Sequence, residues 1–266
     1  MLTFRRFTLL FFLLLLTLNF WTFLVHTPTS GFIQTHATIL YILLISIYFG
    51  ISFLMAFLPC TNFHHPVICT GGTQEKSVAI TFDDGPDPVQ TAAILDILLK
   101  HQVKAAFFCV GNKIAKNEDL VRRIIREGHL IGNHSFSHSK WFDLFSTGKM
   151  KKEMEETNLL IRTFTGSTPR FFRPPFGVAN PMVSRALRQT KLTAVCWDIR
   201  SYDTMIANPE KIRQRIIQSL RPGSIILLHD HTVFSQQHLD QLIINIHDTG
   251  YNIQPLDHLL NMQAYA

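Results

Sequence analysis

The stretch 77-SVAITFDDGP-86 and the stretch 89-VQTAAILDILLKHQ-102 that follows it show the repeating unit from which the fold is predicted. The first is a short apolar run that ends in carboxylates and turn residues, which is typical of a buried strand. The second has apolar residues at helical spacing. This strand–helix unit recurs along the chain. Strands are predicted at 77–82, 105–110, 129–134, 170–173, 192–197, 224–229 and 252–256, and helices at 89–102, 117–128, 148–166, 180–190, 208–220 and 235–250.

About seven such units predict an α/β fold with a parallel sheet, because parallel strands need crossover helices that cover both faces of the sheet. The pattern alone does not separate an open doubly wound sheet from a barrel. In both folds, functional residues gather where the parallel strands end. The candidate residues at the predicted strand ends are Asp83, Asp84, Asn112, His134, Arg173, Trp197, Asp198, His229 and Asp230.

The adjacent carboxylates of Asp83 and Asp84 raise the question of why one strand end carries two acids that repel each other. One interpretation is an ordinary strand followed by a turn. The motif 134-HSFSH-138 indicates another, since histidines at i and i+4 share one face of a helical turn and suit a single metal ion. One aspartate is then the third ligand, and its neighbour accepts the proton of the attacking water. The turn at Gly85-Pro86 lets both carboxylates reach the site.

Four motifs occur in order along the chain: TFDDGP at 81–86, HSFSH at 134–138, RPPFG at 173–177 and LLH at 227–229. Together they resemble the signature of the polysaccharide deacetylase family, the chitin and peptidoglycan deacetylase type of carbohydrate esterase. The resemblance covers about residues 75–260. It implies that the fold is a distorted (β/α) barrel. It also implies one divalent metal ion, for which we expect zinc, with cobalt or nickel as alternatives.

The resemblance also implies a metal site and a catalytic base. Asp84, His134 and His138 would bind the metal ion. Asp83 would act as the base, and Arg173 would orient it.

A general acid and an acyl-binding side follow from the same resemblance. His229 would protonate the leaving amine, and Asp203 or, failing that, Asp198 would hold its other ring nitrogen. The backbone amide near Phe176 would help to hold the oxyanion, and Leu227 would line the pocket for the acyl methyl group.

The stretch 197-WDIRSYDT-204 departs from the family pattern. Trp197 is present on the substrate side, but Arg200 stands where the family has an acid and Thr204 where it has a tryptophan. We therefore expect a changed acyl pocket or a changed approach for the sugar. His231, two residues after the expected acid, is a candidate for touching substrate.

These residues predict a metal-dependent hydrolase that removes an N-acyl group, expected to be acetyl, from an amino-sugar-containing glycan or a lipid-linked amino sugar. Two alternatives use the same scaffold: a non-catalytic, membrane-anchored glycan-binding protein and an O-acetyl esterase. A non-catalytic member would be expected to have lost a ligand, the base or the acid, and this sequence retains all of them.

The N-terminal part predicts a membrane anchor. The uncharged apolar runs 7–25 and 39–58 are each long enough to cross a bilayer, although a signal peptide competes for the first. We expect an anchor at 1–60, a linker at 61–75 and a catalytic domain at 76–262.

The side of the membrane is predicted differently by two arguments. Arg5 and Arg6 precede the first run, and the loop 26–37 has no Lys or Arg, so the positive-inside rule places both the N-terminus and the domain in the cytoplasm. The resemblance implies an extracytoplasmic domain, which we favour.

The net charge bears on the class of binding partner, and the cysteines bear on the core, on a possible disulfide and on zinc binding. The net charge of +6 is spread over predicted helices, which favours lipid headgroups over nucleic acid. Cys109 and Cys196 lie in apolar runs and are expected in the core, whereas pairing of Cys60 with Cys69 stays open. The chain has no CxxC motif, so no cysteine zinc site is expected.

Overall fold

The computed structural model describes residues 2–24 and 31–266, and it begins with two long apolar helices. Helix α1 spans Phe4–Leu24 and helix α2 spans Gly31–Ala56. By length and composition, Phe4–Leu24 and the part of α2 at His36–Ala56 could each cross a membrane: an 18-residue stretch in each reaches a mean hydropathy of 2.1 and 2.4, respectively. Helix α2 begins before the predicted residue 39, so the C-terminal part of the predicted loop 26–37 is helical. Residues 25–30, which include the rest of that loop, lie outside the described residues.

The two helices form a hairpin that is held by aromatic side chains. Tyr48 of α2 stacks on Phe7 and Phe11 of α1, with ring centroids 5.2 and 4.4 Å apart. Its hydroxyl is 2.9 Å from Thr8 Oγ1. The hairpin therefore places the N-terminus and the start of the following domain at the same end.

The strands of the described chain form a single nine-stranded sheet in which every strand pair is parallel. They are β1 Val67–Ile68, β2 Ser77–Gly85, β3 Ala106–Cys109, β4 Leu130–Asn133, β5 Phe171–Phe172, β6 Thr193–Val195, β7 Ile199–Arg200, β8 Ile225–His229 and β9 Asn252–Ile253. The order is β1-β6-β5-β4-β3-β2-β8-β7, and β9 pairs with the start of β2. The prediction of an α/β, distorted (β/α) barrel is confirmed: the sheet curls into a half-barrel with β1 and β7 at its edges.

Two strands were not predicted. Strands β1 and β7 contain two residues each, too few to produce a periodic pattern. They form because neighbouring strands β6 and β8 offer free edges for pairing. Strand β1 lies within the predicted linker 61–75, so this segment contributes to the sheet.

Helices connect successive strands and cover the sheet. They are α3 Gln90–Lys100, α4 Gly111–Ile114, α5 Glu118–Arg126, α6 Thr147–Thr165, α7 Pro181–Thr190, α8 Pro209–Ser219, α9 Val233–Gln237, α10 Leu239–Asp248 and α11 Leu256–Leu260. Asn180 and Asn208 cap α7 and α8, each followed by proline at the first helical position. The prediction of a single helix at 235–250 is wrong. Helical structure is interrupted at His238, so this part of the chain forms two helices, α9 and α10.

Strand β2 shows how the sheet separates core from site. Val78, Ile80 and Phe82 point to the main hydrophobic core. Because side chains alternate along a strand, Thr81 and Asp83 point to the opposite face, where both contact Arg173 inside the half-barrel. Each fully buried large apolar side chain stabilises the fold by roughly 1.5–3 kcal/mol, which supports a polar interior on the other face.

The cysteines divide into two pairs. Cys60 and Cys69 form a disulfide between the end of the hairpin and strand β1. Cys109 and Cys196 are buried free thiols, as predicted from their apolar surroundings.

Candidate active site

Asp83 and Arg173 form a buried ion pair inside the half-barrel. Arg173 Nη1 donates to Asp83 Oδ1 at 2.6 Å and to Thr81 Oγ1 at 2.8 Å. The other two guanidinium nitrogens donate to the carbonyls of Val195 and Cys196, each at 3.0 Å. All three guanidinium nitrogens therefore have hydrogen-bond partners, and one carboxylate oxygen of Asp83 is bonded to the guanidinium.

Asp84 turns onto the same strand end by a change in backbone conformation. In a regular strand the side chains of Asp83 and Asp84 would point to opposite faces. Asp84 instead has φ 72°, and the pairing register shifts between Asp83 and Gly85. Its Oδ1 lies 3.4 Å from His134 Nε2 and 3.2 Å from His138 Nε2. The ligand atoms of Asp84, His134 and His138 all lie within 4.8 Å of one another.

The arrangement of this cluster fits a divalent metal ion. His134 Nδ1 donates to the carbonyl of Arg173 at 2.8 Å, which directs Nε2 toward Asp84. Burial lowers the pKa of His134, but the charge of Asp83 and the hydrogen bond to Asp84 outweigh burial and raise that pKa. Burial raises the pKa of Asp84, but its hydrogen bond to His134 and the charges of His134 and His138 outweigh burial and hold that pKa well below its usual range. Burial, and then the charge of His134, lower the pKa of His138 to about 4. An ionised carboxylate and two imidazole nitrogens are a ligand set that zinc prefers.

The loop 134–138 is not helical, so the interpretation as a helical turn is wrong. Ser135 and His138 have left-handed backbones, with φ 62° and 47°. Glu153 of α6 holds the loop: its carboxylate accepts from two backbone N–H groups of the loop at 3.1 and 2.7 Å and from the Ser137 hydroxyl. The two histidines are brought together by this loop, with ring centroids 4.8 Å apart.

His229 ends β8 beside Asp83 of β2, and Asp203 holds it. The ring atom Nδ1 is 2.8 Å from Asp203 Oδ1, and the backbone N–H of His229 donates to Asp203 Oδ2 at 2.8 Å. Asp198, the other candidate, instead accepts from Arg221 Nε at 2.9 Å and from the backbone N–H of Ile225. Burial alone would lower the pKa of His229, but the hydrogen bond and charge of Asp203 outweigh it and raise the pKa.

The remaining acid at this strand end is not a partner of His229. Asp230 is buried, and its Oδ2 accepts from Thr91 Oγ1 at 2.5 Å. Burial raises the pKa of Asp230 to about 7.

Three predicted substrate-side residues surround the cluster to different degrees. Phe176 has φ 58°, is 51% exposed, and its ring centroid lies 5.0 Å from that of His138. Leu227 is buried on β8, two residues before His229 and on the same face of the strand. Trp197 packs against Gly177, where a Cβ atom would lie 2.7 Å from the indole ring.

Arg200 and Thr204, which depart from the family pattern, are both exposed. The Arg200 guanidinium lies 5.0 Å from the ring of Tyr202 and 5.9 Å from that of Trp197. Nearby, His231 Nδ1 is 3.7 Å from Asp84 Oδ2.

Several residues of the site were missed from the sequence. Thr81 shares Arg173 with Asp83, and Lys113 Nζ donates to the carbonyl of Asp84 at 2.6 Å. Both lie near predicted strand ends, so their positions offered a signal. Glu153 lies in the middle of a predicted helix and offered none, because its role depends on how α6 packs against the loop.

Comparisons with known proteins identify the family of this chain. A family model described as "Polysaccharide deacetylase" matches residues 70–195. The chain is 34% identical over 201 residues to a chitooligosaccharide deacetylase of Sinorhizobium fredii, covering 70% of this chain and 92% of that protein. It is 31% identical over 184 residues to the peptidoglycan-N-acetylglucosamine deacetylase PgdA of Listeria monocytogenes, covering 69% of this chain but only 39% of that protein's length.

Solved structures give the same relationship. The crystal structure of the Bc1960 peptidoglycan N-acetylglucosamine deacetylase superimposes with a TM-score of 0.70 at 30% sequence identity. The superposition covers 75% of this chain and 95% of that structure. A quarter of this chain therefore lies outside the superposition.

Proposed function

Because this chain belongs to the polysaccharide deacetylase family, we propose that it is a metal-dependent hydrolase that removes an acetyl group from the nitrogen of an amino sugar in a glycan. One observation carries the proposal. The Asp83–Arg173 pair, the cluster of Asp84 with two histidines, and the His229–Asp203 pair meet at the carboxyl ends of neighbouring parallel strands.

Asp84, His134 and His138 are the residues that would hold the metal ion, for which zinc is proposed and cobalt or nickel are alternatives. Such an ion polarises the substrate carbonyl and activates water at neutral pH. The hydrogen bond from His134 Nδ1 to the Arg173 carbonyl keeps its other nitrogen free for this purpose.

Asp83 is proposed as the base that accepts a proton from the attacking water. Its Oδ1 is bound by Arg173, which leaves Oδ2, 3.8 Å from His134 Nε2, on the side of the metal cluster. Arg173 supplies the opposite charge that a buried carboxylate needs, through the ion pair with Asp83. Arg173 also fixes the rotamer of Asp83, so that the base need not reorganise during the reaction.

His229 is proposed as the acid that completes the cleavage. Water adds to the amide carbon, the C–N bond breaks, the nitrogen takes the proton from His229, and acetate and the free amine leave. The hydrogen bond to Asp203 and its charge outweigh burial and raise the pKa of His229, which favours the protonated ring that an acid needs. The backbone amide near Phe176 is proposed as an oxyanion donor, and Leu227 and Trp197 as walls of the acyl pocket.

The non-catalytic alternative predicts glycan binding without turnover. The experiment that tests the proposal incubates the purified full chain, loaded with zinc, with an N-acetylated chitooligosaccharide and with peptidoglycan, and measures released acetate. Release that a chelator abolishes and zinc restores supports the proposal. Binding without acetate release, or full release by metal-free protein, contradicts it.

The O-acetyl esterase alternative differs in its substrate. The same assay with an O-acetylated glycan that lacks N-acetyl groups separates the two: hydrolysis of this glycan alone would replace the proposed amidase with an esterase.

We also propose that α1 and α2 anchor the chain in a bilayer, with the catalytic domain on the extracytoplasmic side. The disulfide between Cys60 and Cys69 supports this side, because disulfides persist in oxidising compartments. The backbone N–H of Phe4 donates to the carbonyl of Phe63 at 2.7 Å, so the N-terminus and the domain share a side. This placement opposes the positive-inside rule for Arg5, and favours an exported glycan over a cytoplasmic lipid-linked sugar.

The division into an anchor at 1–60 and a catalytic domain at 76–262 remains part of the proposal, with 61–75 as a segment that is joined to the sheet by β1.

A further inference from the structure

A cleft of about 480 Å³ lies between the end of the apolar hairpin and helix α7. One wall contains the first residues of α1, including Phe4 and Arg5. The floor contains His64 and His65, which follow α2. The cleft therefore lies where the chain leaves the two apolar helices, at the depth of lipid phosphates in a bilayer that these helices span.

Helix α7 supplies the opposite wall. Pro181, Ser184, Arg185 and Arg188 all line the cleft, at the spacing that places residues on one face of a helix. Both arginines are exposed. Arg188 Nη1 donates to Ser184 Oγ at 2.9 Å, so one nitrogen of this guanidinium is anchored at the cleft.

The two walls are joined by hydrogen bonds. The hydroxyl of Ser184 donates to the carbonyl of His64 at 2.9 Å, and His64 Nε2 donates to the carbonyl of Ser52 in α2 at 2.9 Å. The backbone N–H of Ala179, just before α7, donates to the carbonyl of Ala56 at 2.9 Å. Hydrogen bonds therefore hold the hairpin and the domain together at this cleft.

The charge of the cleft has one sign. Among the described residues that line it, three are arginines and none is a carboxylate. His64 is buried, and its Nδ1 has no hydrogen-bond partner within the described chain. Burial, and then the charge of Arg188, lower the pKa of His65, as expected in a region of positive potential. Guanidinium groups at a membrane surface match the phosphate of a lipid headgroup in shape and charge.

We propose that this cleft binds the headgroup of one anionic phospholipid, with Arg5, Arg185 and Arg188 facing its phosphate. The bound lipid joins hairpin to domain and sets the position of the half-barrel at the membrane surface. The proposal does not depend on the hydrolytic function, because none of these residues contacts the metal cluster or its acid and base.

The test uses native mass spectrometry of the full chain in detergent micelles, titrated with phosphatidylglycerol or with zwitterionic phosphatidylcholine. We expect one phosphatidylglycerol molecule to be retained about tenfold or more tightly than phosphatidylcholine. The double variant Arg185→Gln/Arg188→Gln should lose this preference. The matched control Arg122→Gln/Arg126→Gln, which removes two exposed charges from α5, should keep it.

Three outcomes would overturn the proposal. The first is equal retention of both lipids by the unaltered chain. The second is an equal loss of the preference for phosphatidylglycerol in the control variant, which would show that the preference depends only on net charge. The third is displacement of phosphatidylglycerol by low-millimolar inorganic phosphate, which would make the cleft a site for free phosphate. Near-UV circular dichroism checks folding, and the single variant Arg185→Gln, whose side-chain hydrogen bonds are local to α7, provides the test if the double variant is misfolded.

Discussion

Asp83 and Asp84 are neighbours in the chain, yet their carboxylates face different partners. The Asp83 carboxylate pairs with Arg173 inside the half-barrel, and the Asp84 carboxylate faces two imidazole nitrogens at its rim. The left-handed backbone of Asp84 makes this possible, since it turns the second side chain out of the strand's alternation. A single strand end can therefore supply both a proton acceptor and a metal ligand.

Exchange of each aspartate for asparagine should separate these roles. Asp83→Asn should lower the deacetylation rate by about 10²–10⁴-fold and keep the metal, because only the base is removed. Asp84→Asn should lose metal as well as rate. Elemental analysis of the purified variants measures zinc content, and equal metal loss in both would contradict the division of roles.

The raised pKa of His229 predicts the basic limb of the pH–rate profile. The protonated ring is the active form of an acid, so on the basic side of the pH–rate profile activity should fall as the pH rises through the raised pKa of His229. Asp203→Asn removes the charge that raises this pKa, so the midpoint of the basic limb should move to lower pH. An unchanged midpoint would rule out His229 as the titrating group.

A second prediction for His229 concerns the leaving group. His229→Ala should lose turnover on amide substrates, whose amine leaves poorly unless protonated, and should keep its metal. It should lose much less on an activated aryl ester, whose leaving group needs no proton. Rates on both substrates are compared; equal impairment would make the role of His229 structural or one of binding.

At the level of elements, helix α6 determines the shape of the metal loop. The carboxylate of Glu153 accepts hydrogen bonds from three donors of the loop 134–138: two backbone N–H groups and the Ser137 hydroxyl. The loop needs this support because two of its residues have left-handed backbones. Residues that support metal ligands in this way commonly change metal affinity when they are altered.

Glu153→Gln should therefore weaken metal binding by about 10–100-fold, since an amide accepts fewer hydrogen bonds than a carboxylate. The matched control is Glu156→Gln on the same helix, whose carboxylate is 3.7 Å from Lys152 Nζ at the surface. Zinc affinity is measured by competition with a chromophoric chelator. If both variants bind zinc as tightly as the unaltered chain, the loop does not depend on Glu153.

At the scale of the whole molecule, three connections hold hairpin and domain together: the Cys60–Cys69 disulfide, strand β1 and the junction at α7. The disulfide predicts the side of the membrane. We fuse to Ala266 a reporter enzyme that works only outside the cytoplasm, and we expect this fusion to show reporter activity. We also expect the disulfide in protein that is isolated under thiol-blocking conditions. If instead a reporter that works only in the cytoplasm is active at this position, the domain lies in the cytoplasm, and a lipid-linked substrate at the cytoplasmic leaflet is favoured.

The repeating strand–helix units and most of the candidate catalytic and metal-binding residues could be predicted from the sequence alone. Strand–helix alternation predicted an α/β fold with a parallel sheet, since burial on both faces of a parallel strand leaves a continuous apolar run that is visible without neighbours. The choice of a distorted barrel over an open sheet came from the family resemblance. The order of the four motifs indicated the family, and strand ends located Asp83, Asp84, His134, Arg173 and His229. The apolar runs predicted both long N-terminal helices.

Only the tertiary structure decided which of these residues meet, and how. Asp203 rather than Asp198 contacts His229, because the loop after β7 returns to the end of β8 while Asp198 is held by Arg221. The two-residue strands β1 and β7, the non-helical metal loop and its support by Glu153 all depend on partners that are distant in sequence. Local periodicity contains no record of such contacts, because their free energy comes from pairing and packing between elements and not from the residues within one element.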